Sequence, residues 1–282
     1  MKVAELPLET VDHVFTVPAT INGHVLKMLL DTGAERSLLD ERTVQRLGIP
    51  QDGRTFTVMV GIAGGSPRAD ANVEGMTLGG APVDIDRMPV STFGGSSGAE
   101  GVLGLDVLRD YDLDIDGPNR TLTLYRVRHC ATADPPWAQA TAPIENVRTR
   151  IGWMEIPIEV DSVRGIAAID TGASFTTIMP RMARRLGLTE QSMAGDRTVT
   201  INVVAAADTH AHIHRFETIK IGPVTGRSVR ILVLDREPPA LSGGRQFQDA
   251  IIGQDVLGTR RVWFSISTGR LFLSHRDDAT AQ

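Results

Sequence analysis

Two short acidic motifs contain the residues of this sequence that are best suited to chemistry. Residues 31–34 and residues 170–173 both read DTGA, and each motif follows an apolar run. An aspartate close to a glycine is common in turns, so one motif alone favours a plain turn. Two carboxylates brought within a few ångströms share a proton and titrate as a coupled pair. The second motif therefore raises the prospect of general acid-base catalysis by Asp31 and Asp170.

The sequence around the two motifs is repeated. Residues 29–49 and residues 168–188 align without a gap at an offset of 139, and 8 of the 21 positions are identical. Further along, residues 102–108 read VLGLDVL and residues 251–257 read IIGQDVL, at an offset of 149. Self-similarity of this extent predicts an internal duplication, with an insertion of about ten residues between the two motifs of the second copy.

Local patterns predict the elements that position the motifs. The apolar run before Asp31 is typical of a buried strand, and Asp40 and Gly48 are suitable residues to begin and end a short helix after it. Each copy ends in an alternating stretch that predicts a hairpin, with its turn at residues 116–117 or residues 268–269. The Ala- and Pro-rich stretch between the copies indicates a linker. We therefore expect an N-terminal lobe over residues 1–130, a linker over 131–150 and a C-terminal lobe over 151–282.

The overall composition is that of an ordinary globular protein. The chain has 282 residues, 41% hydrophobic and 22% charged, with a formal net charge of -5. That charge gives no basic surplus for nucleic acid. The single cysteine, Cys130, rules out an internal disulfide framework. No apolar run has the length of a membrane span, and no export signal is visible at the start. We expect a periplasmic or secreted location if an upstream signal has been removed, and a cytoplasmic one otherwise.

Each DTGA motif is combined with an apolar-apolar-Gly segment, and this combination resembles the aspartic peptidases. The alanine after each glycine and the GLDVL and GQDVL segments are more similar to the retropepsin-like branch than to pepsin. The resemblance implies an all-β fold of two β-barrel lobes with short helices, related by pseudo-two-fold symmetry. It also implies a monomer, since both half-sites lie in one chain, and a bacterial-style single-chain form.

The resemblance assigns roles at the site residue by residue. Asp31 and Asp170 would activate a water that attacks the peptide bond, without a cofactor or metal. The residues that would support them are Thr32, Gly33, Thr171 and Gly172, with each threonine bonded to the backbone of the opposite lobe. Candidate substrate contacts are Ala34, Glu35, Ala173, Ser174, Gly64 and Gly65.

Gly64 and Gly65 belong to a glycine-rich stretch that has two interpretations. Residues 60–70, VGIAGGSPRAD, lie where the family has its flap, a mobile hairpin that closes over substrate. An ordinary surface hairpin explains the same residues equally well.

After each motif, Glu35 and Arg36 align with Ser174 and Phe175, and this mismatch indicates an asymmetric cleft. Pairing of Glu35 and Arg36 with surface neighbours is the competing interpretation.

Three alternating histidines, His210, His212 and His214, are expected on one face of a strand. They could bind zinc or titrate near neutral pH, but a solvated strand accounts for them and no acidic fourth ligand stands at an obvious spacing. We therefore predict no metal site.

The sequence favours an aspartic endopeptidase that acts on a peptide or protein substrate. A catalytically silent peptide-binding or regulatory module on the same fold is the alternative, because fold does not guarantee chemistry. A glycosidase with two carboxylates is a third possibility, but a duplicated DTGA unit is not its usual setting.

Overall fold

A computed structural model describes residues 1–61, 64–92, 98–126, 134–137, 142–145, 153–201, 209–237 and 248–274. Most of this described part is β-strand, and the helices are short, as the sequence predicted. Cys130 and most of the predicted linker lie outside the described residues. Within the described part, no helix has the length and apolar character needed to cross a membrane.

The described residues of the N-terminal half form thirteen strands and two helices. Its strands are β1 (Lys2–Pro7), β2 (Glu9–Val11), β3 (Val14–Ile21), β4 (His24–Leu30), β5 (Leu38–Asp40), β6 (Gln51–Gly61), β7 (Gly64–Asn72), β8 (Thr77–Leu78), β9 (Ala81–Pro82), β10 (Arg87–Ser91), β11 (Gly101–Leu103), β12 (Asp112–Asp116) and β13 (Thr121–Tyr125). Its helices are α1 (Glu41–Leu47), which lies between β5 and β6, and α2 (Leu105–Leu108), which follows β11. Asp40 caps α1 through a bond from the Arg42 N–H, and Gly48 ends it in the left-handed conformation.

The C-terminal half repeats much of this order. After β14 (Ile144–Glu145) come β15 (Glu155–Val160), β16 (Val163–Ile169), β17 (Thr177–Ile178), α3 (Pro180–Arg185), β18 (Arg197–Ile201), β19 (Thr209–Ile221), β20 (Val224–Leu234), β21 (Ala250–Ile252), α4 (Gln254–Leu257), β22 (Arg261–Ser265) and β23 (Arg270–Leu273). Strand β16 therefore corresponds to β4, β21 to β11, and α4 to α2. The two DTGA turns follow β4 and β16.

Each half builds a sheet of its own around its DTGA turn. In the N-terminal half, β4 pairs with β3 on one side and in parallel with β11 on the other. In the C-terminal half, β16 pairs in the same way with β15 and β21. Strands β4, β11, β16 and β21 are the apolar segments of the sequence repeat, and most of their buried residues lie in the main hydrophobic core. Burial of this apolar surface is what fixes the position of each turn.

A third sheet joins the two halves. It has six strands in the order β1-β13-β12-β22-β23-β14. The two predicted hairpins, β12–β13 and β22–β23, are present, and they meet edge to edge with Leu113 opposite Phe264 and Ile115 opposite Val262. The sequence predicted each hairpin but not this pairing between them. The two lobes therefore share a continuous sheet.

An ion pair with a buried carboxylate reinforces the shared sheet. Asp112, Asp114 and Asp116 alternate along β12 and are all buried. Asp114 accepts two hydrogen bonds from Arg261 of β22, from Nε at 2.9 Å and from Nη2 at 2.7 Å. Asp112 accepts bonds from the amide and hydroxyl of Ser267 in the other lobe. Bidentate geometry of this kind holds two elements in one relative orientation.

The arginines that are identical in the two copies have a structural use. Arg46 pairs with Glu100, just before β11, and Arg185 pairs with Asp249, just before β21, at 3.1 Å. The Asp249 carboxylate also accepts a backbone N–H from β16 at 3.0 Å. In both lobes, a helix side chain thus holds the segment that leads into the apolar-apolar-Gly strand.

Candidate active site

The two DTGA turns are held from below by the apolar-apolar-Gly strands. The Asp31 N–H donates to the carbonyl of Leu103 at 3.1 Å, and the Asp170 N–H donates to the carbonyl of Ile252 at 3.0 Å. Each aspartate thus continues a parallel strand pair at the point where its own strand ends. This arrangement carries both carboxyls from the core of a lobe to the boundary between the lobes.

The threonines of the two turns bond across the lobe boundary in a reciprocal pattern. Thr32 Oγ1 donates to the Ile169 carbonyl at 2.9 Å, and Thr171 Oγ1 donates to the Leu30 carbonyl at 2.7 Å. Each hydroxyl also accepts the backbone N–H of the opposite threonine, at 3.1 Å and 3.0 Å. Both threonines are buried. The equivalence of the four bonds reflects the pseudo-two-fold axis that relates the lobes.

The backbone of each turn points two N–H groups at its own aspartate. Asp31 Oδ1 accepts from Gly33 at 2.8 Å and from Ala34 at 2.9 Å. Asp170 Oδ1 accepts from Gly172 at 2.8 Å, and from the next residue, the second alanine, at 3.2 Å. Hydrogen bonds to a carboxylate favour its charged form. The alanines, which the sequence suggested as substrate contacts, therefore use their amides to orient the acids.

The two carboxyls lie beside each other across the boundary. A Cβ atom on Gly33 would lie 2.4 Å from Oδ2 of Asp170, and one on Gly172 would lie 2.4 Å from Cγ of Asp31. Each glycine is therefore required by the close approach of its backbone to the opposite acid. The side chains of Asp31 and Asp170 also hydrogen-bond to each other, as expected of a pair that shares a proton.

Burial raises the pKa values of both acids. The pKa of Asp31 is held well above its usual range, first by burial and then by the neighbouring charge of Asp170. Burial likewise raises the pKa of Asp170, and the hydrogen bonds from Gly172, Asp31 and Ala173 oppose that rise. A pair of acids in this setting holds one proton over a wide pH range, so one member can act as a base while the other acts as an acid.

A second pair of acids braces the turns, and sequence reasoning gave it no role. Asp106 Oδ1 accepts from the amide and hydroxyl of Ser37, at 2.8 Å and 2.7 Å. Asp255 Oδ1 accepts both equivalent bonds from Thr176, each at 2.8 Å. The alignment of the two copies contained a signal for these bonds, since Ser37 aligns with Thr176 and both carry a hydroxyl. These bonds fix the chain just after each DTGA turn.

The residues predicted to differ between the half-sites do differ in their surroundings. Ser174 Oγ donates to the carbonyl of Asp12 in the other lobe at 3.0 Å. Phe175 is 44% exposed, and its ring lies 5.4 Å from the ring of His13. On the opposite side, Arg36 lies 3.9 Å from a carboxylate oxygen of the α2 helix, within ion-pair distance. Glu35, next to it, is exposed.

The glycine-rich stretch forms a hairpin. Gly64 and Gly65 lie at the start of β7, opposite Gly61 and Val60 of β6, and residues 62–63 at its tip lie outside the described residues. The C-terminal lobe has an equivalent hairpin of β18 and β19, whose connection, residues 202–208, is likewise not described.

The three histidines lie on β19 with polar neighbours of their own. His212 Nε2 lies 3.1 Å from Asp235, and His214 Nδ1 lies 2.6 Å from Asp196. His210 is exposed and lies 3.3 Å from the hydroxyl of Thr200. Across the described part of the chain, no group of three or more His, Cys, Asp or Glu side chains is arranged to hold a metal ion.

Comparison with known proteins identifies similar sequences and folds. A family model described as aspartyl protease matches residues 17–107 and again residues 156–256, which together make up more than half of the chain. Among curated proteins, Protein DDI1 homolog of Leishmania major is 27% identical over 207 residues, which is 70% of this chain and 49% of that protein. The chain thus spans about half the length of this relative.

A solved structure has the same architecture. The crystal structure of aspartic proteinase from Irpex lacteus matches with a TM-score of 0.62 and 14% identity, over 99% of this chain and 98% of that chain. At this identity the likeness concerns the fold alone. It confirms the prediction of an all-β chain with two lobes.

Proposed function

Because the chain belongs to the aspartyl protease family, we propose that it is an endopeptidase in which Asp31 and Asp170 together activate one water molecule. The observation that carries this proposal is the contact of the two half-buried carboxyls across the lobe boundary, each held by two backbone N–H groups. Shared between two acids, one proton leaves a base and an acid side by side. Peptide hydrolysis requires both.

The chemical steps follow from that pairing. The ionised carboxylate accepts a proton from water while the oxygen of that water bonds to the peptide carbonyl carbon. The protonated carboxyl gives its proton to the carbonyl oxygen, so that a neutral tetrahedral diol forms. The C–N bond then breaks as the protonated carboxyl gives its proton to the leaving nitrogen, while the ionised carboxylate takes a proton from one hydroxyl of the diol, which becomes the carboxyl group of the product. The pair then again holds a single proton and is ready for the next water.

The division of the chain supports a one-chain enzyme. We propose that the lobes are residues 1–130 and 151–282, joined by residues 131–150, and that they arose by internal duplication in a bacterial-type sequence. A match of one family model to both halves supports this origin. Since both aspartates come from one chain, a monomer contains the whole site. Residues Glu35, Ser174, Gly64 and Gly65 remain the proposed substrate contacts.

Digestion of a peptide library by the purified chain tests the proposed activity. We expect cleavage at internal peptide bonds, and we expect a pepstatin-type inhibitor to stop it. A chelator should leave the rate unchanged. Binding of the inhibitor without any cleavage across the library would instead support the silent peptide-binding module, which has the same fold without the chemistry.

We expect the pH optimum of cleavage to lie closer to neutral than that of pepsin. Alanine at positions 34 and 173 removes the hydroxyl that pepsins place beside the dyad. With fewer donors, the ionised form is less stabilised, and burial raises the pKa values of Asp31 and Asp170 further. A profile of kcat/KM against pH measures this directly. An activity peak below about pH 3 would contradict the expectation.

A further inference from the structure

The two half-sites differ at one buried position directly beneath the turns. The helices α2 and α4 begin at equivalent residues, Leu105 and Gln254, and both side chains are buried. Their backbones make the same contact, since the Leu105 N–H donates to the Ala34 carbonyl at 2.9 Å and the Gln254 N–H donates to the Ala173 carbonyl at 2.8 Å. The difference is therefore confined to the side chain, apolar in one lobe and an amide in the other.

The amide of Gln254 is directed at the catalytic turn. Its Nε2 donates to the carbonyl of Thr171 at 2.9 Å. Its Oε1 is buried and has no hydrogen-bond partner among the described residues, and it lies 3.0 Å from where a Cβ on Gly258 would stand. The opposite amide orientation would place two acceptor oxygens against each other, so the donor must face Thr171.

A buried acceptor without a partner is unfavourable, and a leucine at this position would avoid it. The carbonyl of Thr171 belongs to the same peptide group as the N–H of Gly172, and in a trans peptide the two point in opposite directions. That N–H donates to Asp170 Oδ1 at 2.8 Å. Gln254, the Thr171–Gly172 peptide and Asp170 therefore form a chain of hydrogen bonds, in which each bond polarises the next.

The other lobe has no equivalent chain through this position. The alkyl side chain of Leu105 has no hydrogen to donate to the carbonyl of Thr32. We propose that Gln254 is a positioning residue that breaks the symmetry of the dyad, so that Asp170 is the ionised member and Asp31 holds the shared proton. The inference rests on the proposed function in one respect, namely that these two acids form the working pair.

Burial raises the pKa values of both acids, and the backbone N–H groups of each turn oppose that rise. The difference between the lobes is the hydrogen bond from Gln254 to the Thr171 carbonyl. Among the described residues, the titratable group that faces each carboxyl is the other carboxyl. Two further acids on the helices below are already engaged, Asp106 with Ser37 and Asp255 with Thr176.

The test is a titration of the dyad that does not depend on turnover. Carbon-13 NMR of labelled aspartate carboxyls, assigned with the Asp31→Asn and Asp170→Asn variants, follows the two successive deprotonations of the pair. The lower step is the loss of the first proton as the pH rises, and the upper step is the loss of the second. In Gln254→Met the chain of hydrogen bonds is cut, so we expect the lower step to rise by roughly half a pH unit. The upper step should stay in place, because Asp170 is ionised both before and after it. Leu105→Met is the matched control and should move neither step.

Gln254→Leu provides a second variant if the methionine variant does not fold. A lower step that stays within about 0.1 pH unit of the wild type in a folded Gln254 variant would overturn the proposal, as would equal movement of both steps. The outcome is separate from that of the proposed function. If the wild type cleaves no peptide, the endopeptidase proposal fails, while the titration still decides whether Gln254 sets the position of the proton.

Discussion

Replacing either Asp31 or Asp170 with asparagine will abolish peptide cleavage while the protein remains folded. Asparagine has nearly the shape of aspartate, but it can neither hold nor release the shared proton. Because general acid and general base each require one carboxyl, each single variant should lose roughly 10³-fold or more in kcat/KM. The measurement is the rate of cleavage of a peptide selected from the library digest, over the full pH range.

We also expect Asp31→Asn to change the stability of the protein, and the direction of that change follows from the raised pKa of Asp31. In the unfolded chain both acids lose their protons at ordinary pH values, whereas in the folded protein the raised pKa of Asp31 retains a proton to higher pH. Folding therefore becomes less favourable as the pH rises from the ordinary pKa through the raised one. Asp31→Asn should unfold at a higher temperature than the wild type at pH 7, and this advantage should shrink towards pH 4.

Asp110→Asn supplies the matched control, because it makes the same chemical change at an exposed aspartate outside the site. Its activity and unfolding temperature should equal those of the wild type. Retention of cleavage by both Asp31→Asn and Asp170→Asn would remove the proposed mechanism. Loss of cleavage through unfolding, visible in circular dichroism, would be a different result and would leave the chemistry to be tested in a milder variant.

Thr171→Val should destabilise the protein by about 2–6 kcal/mol and reduce cleavage in parallel. Valine matches the shape of threonine but removes the hydroxyl that donates to the Leu30 carbonyl and accepts the Thr32 N–H. Both backbone groups are then left buried without these partners, and each costs roughly 1–3 kcal/mol. Thr32→Val should have a similar effect, because the bonds are reciprocal. Chemical denaturation of each variant measures the loss.

Threonine-to-serine changes at the same positions form the control. Serine keeps the hydroxyl and its two cross-lobe bonds and loses only a methyl group, which is worth about 1 kcal/mol. If valine and serine variants are equally stable, the hydroxyl bonds contribute nothing measurable. The role of the threonines in joining the lobes would then be wrong.

The fold class and the location of the candidate pair could be predicted from sequence because their signals are local and repeated. An apolar strand followed by DTGA places an acid at the end of a strand, and the second copy supplies its counterpart. Pairing of the β12 and β22 edges could not be predicted, since each hairpin looks complete in its own sequence. The choice of partner depends on how the lobes pack, which no local pattern encodes.

Other parts of the site depend on side-chain surroundings that a sequence does not show. Ser174 was predicted from the sequence to contact substrate, whereas the bond from its hydroxyl to the carbonyl of Asp12, which is distant in the chain, could not be predicted. Gln254 was visible as the single polar difference between GLDVL and GQDVL, yet only its distance to the Thr171 carbonyl gives the difference a meaning. The sequence repeat shows which residues of the two copies are equivalent, and the side-chain contacts show at which of these positions the two half-sites differ.

The six-strand sheet that joins the lobes also has a consequence for self-association. A strand at the margin of a sheet exposes unpaired N–H and C=O groups, which invite pairing with another molecule. In this protein β12 and β22 each cover the margin that the other would leave open. A separate half would expose the edge of β12 or β22 and could pair through it with a second chain. In the intact protein the other half already covers that edge. Because the two halves are covalently connected, each is present near the other at a high effective concentration, which favours pairing within one chain.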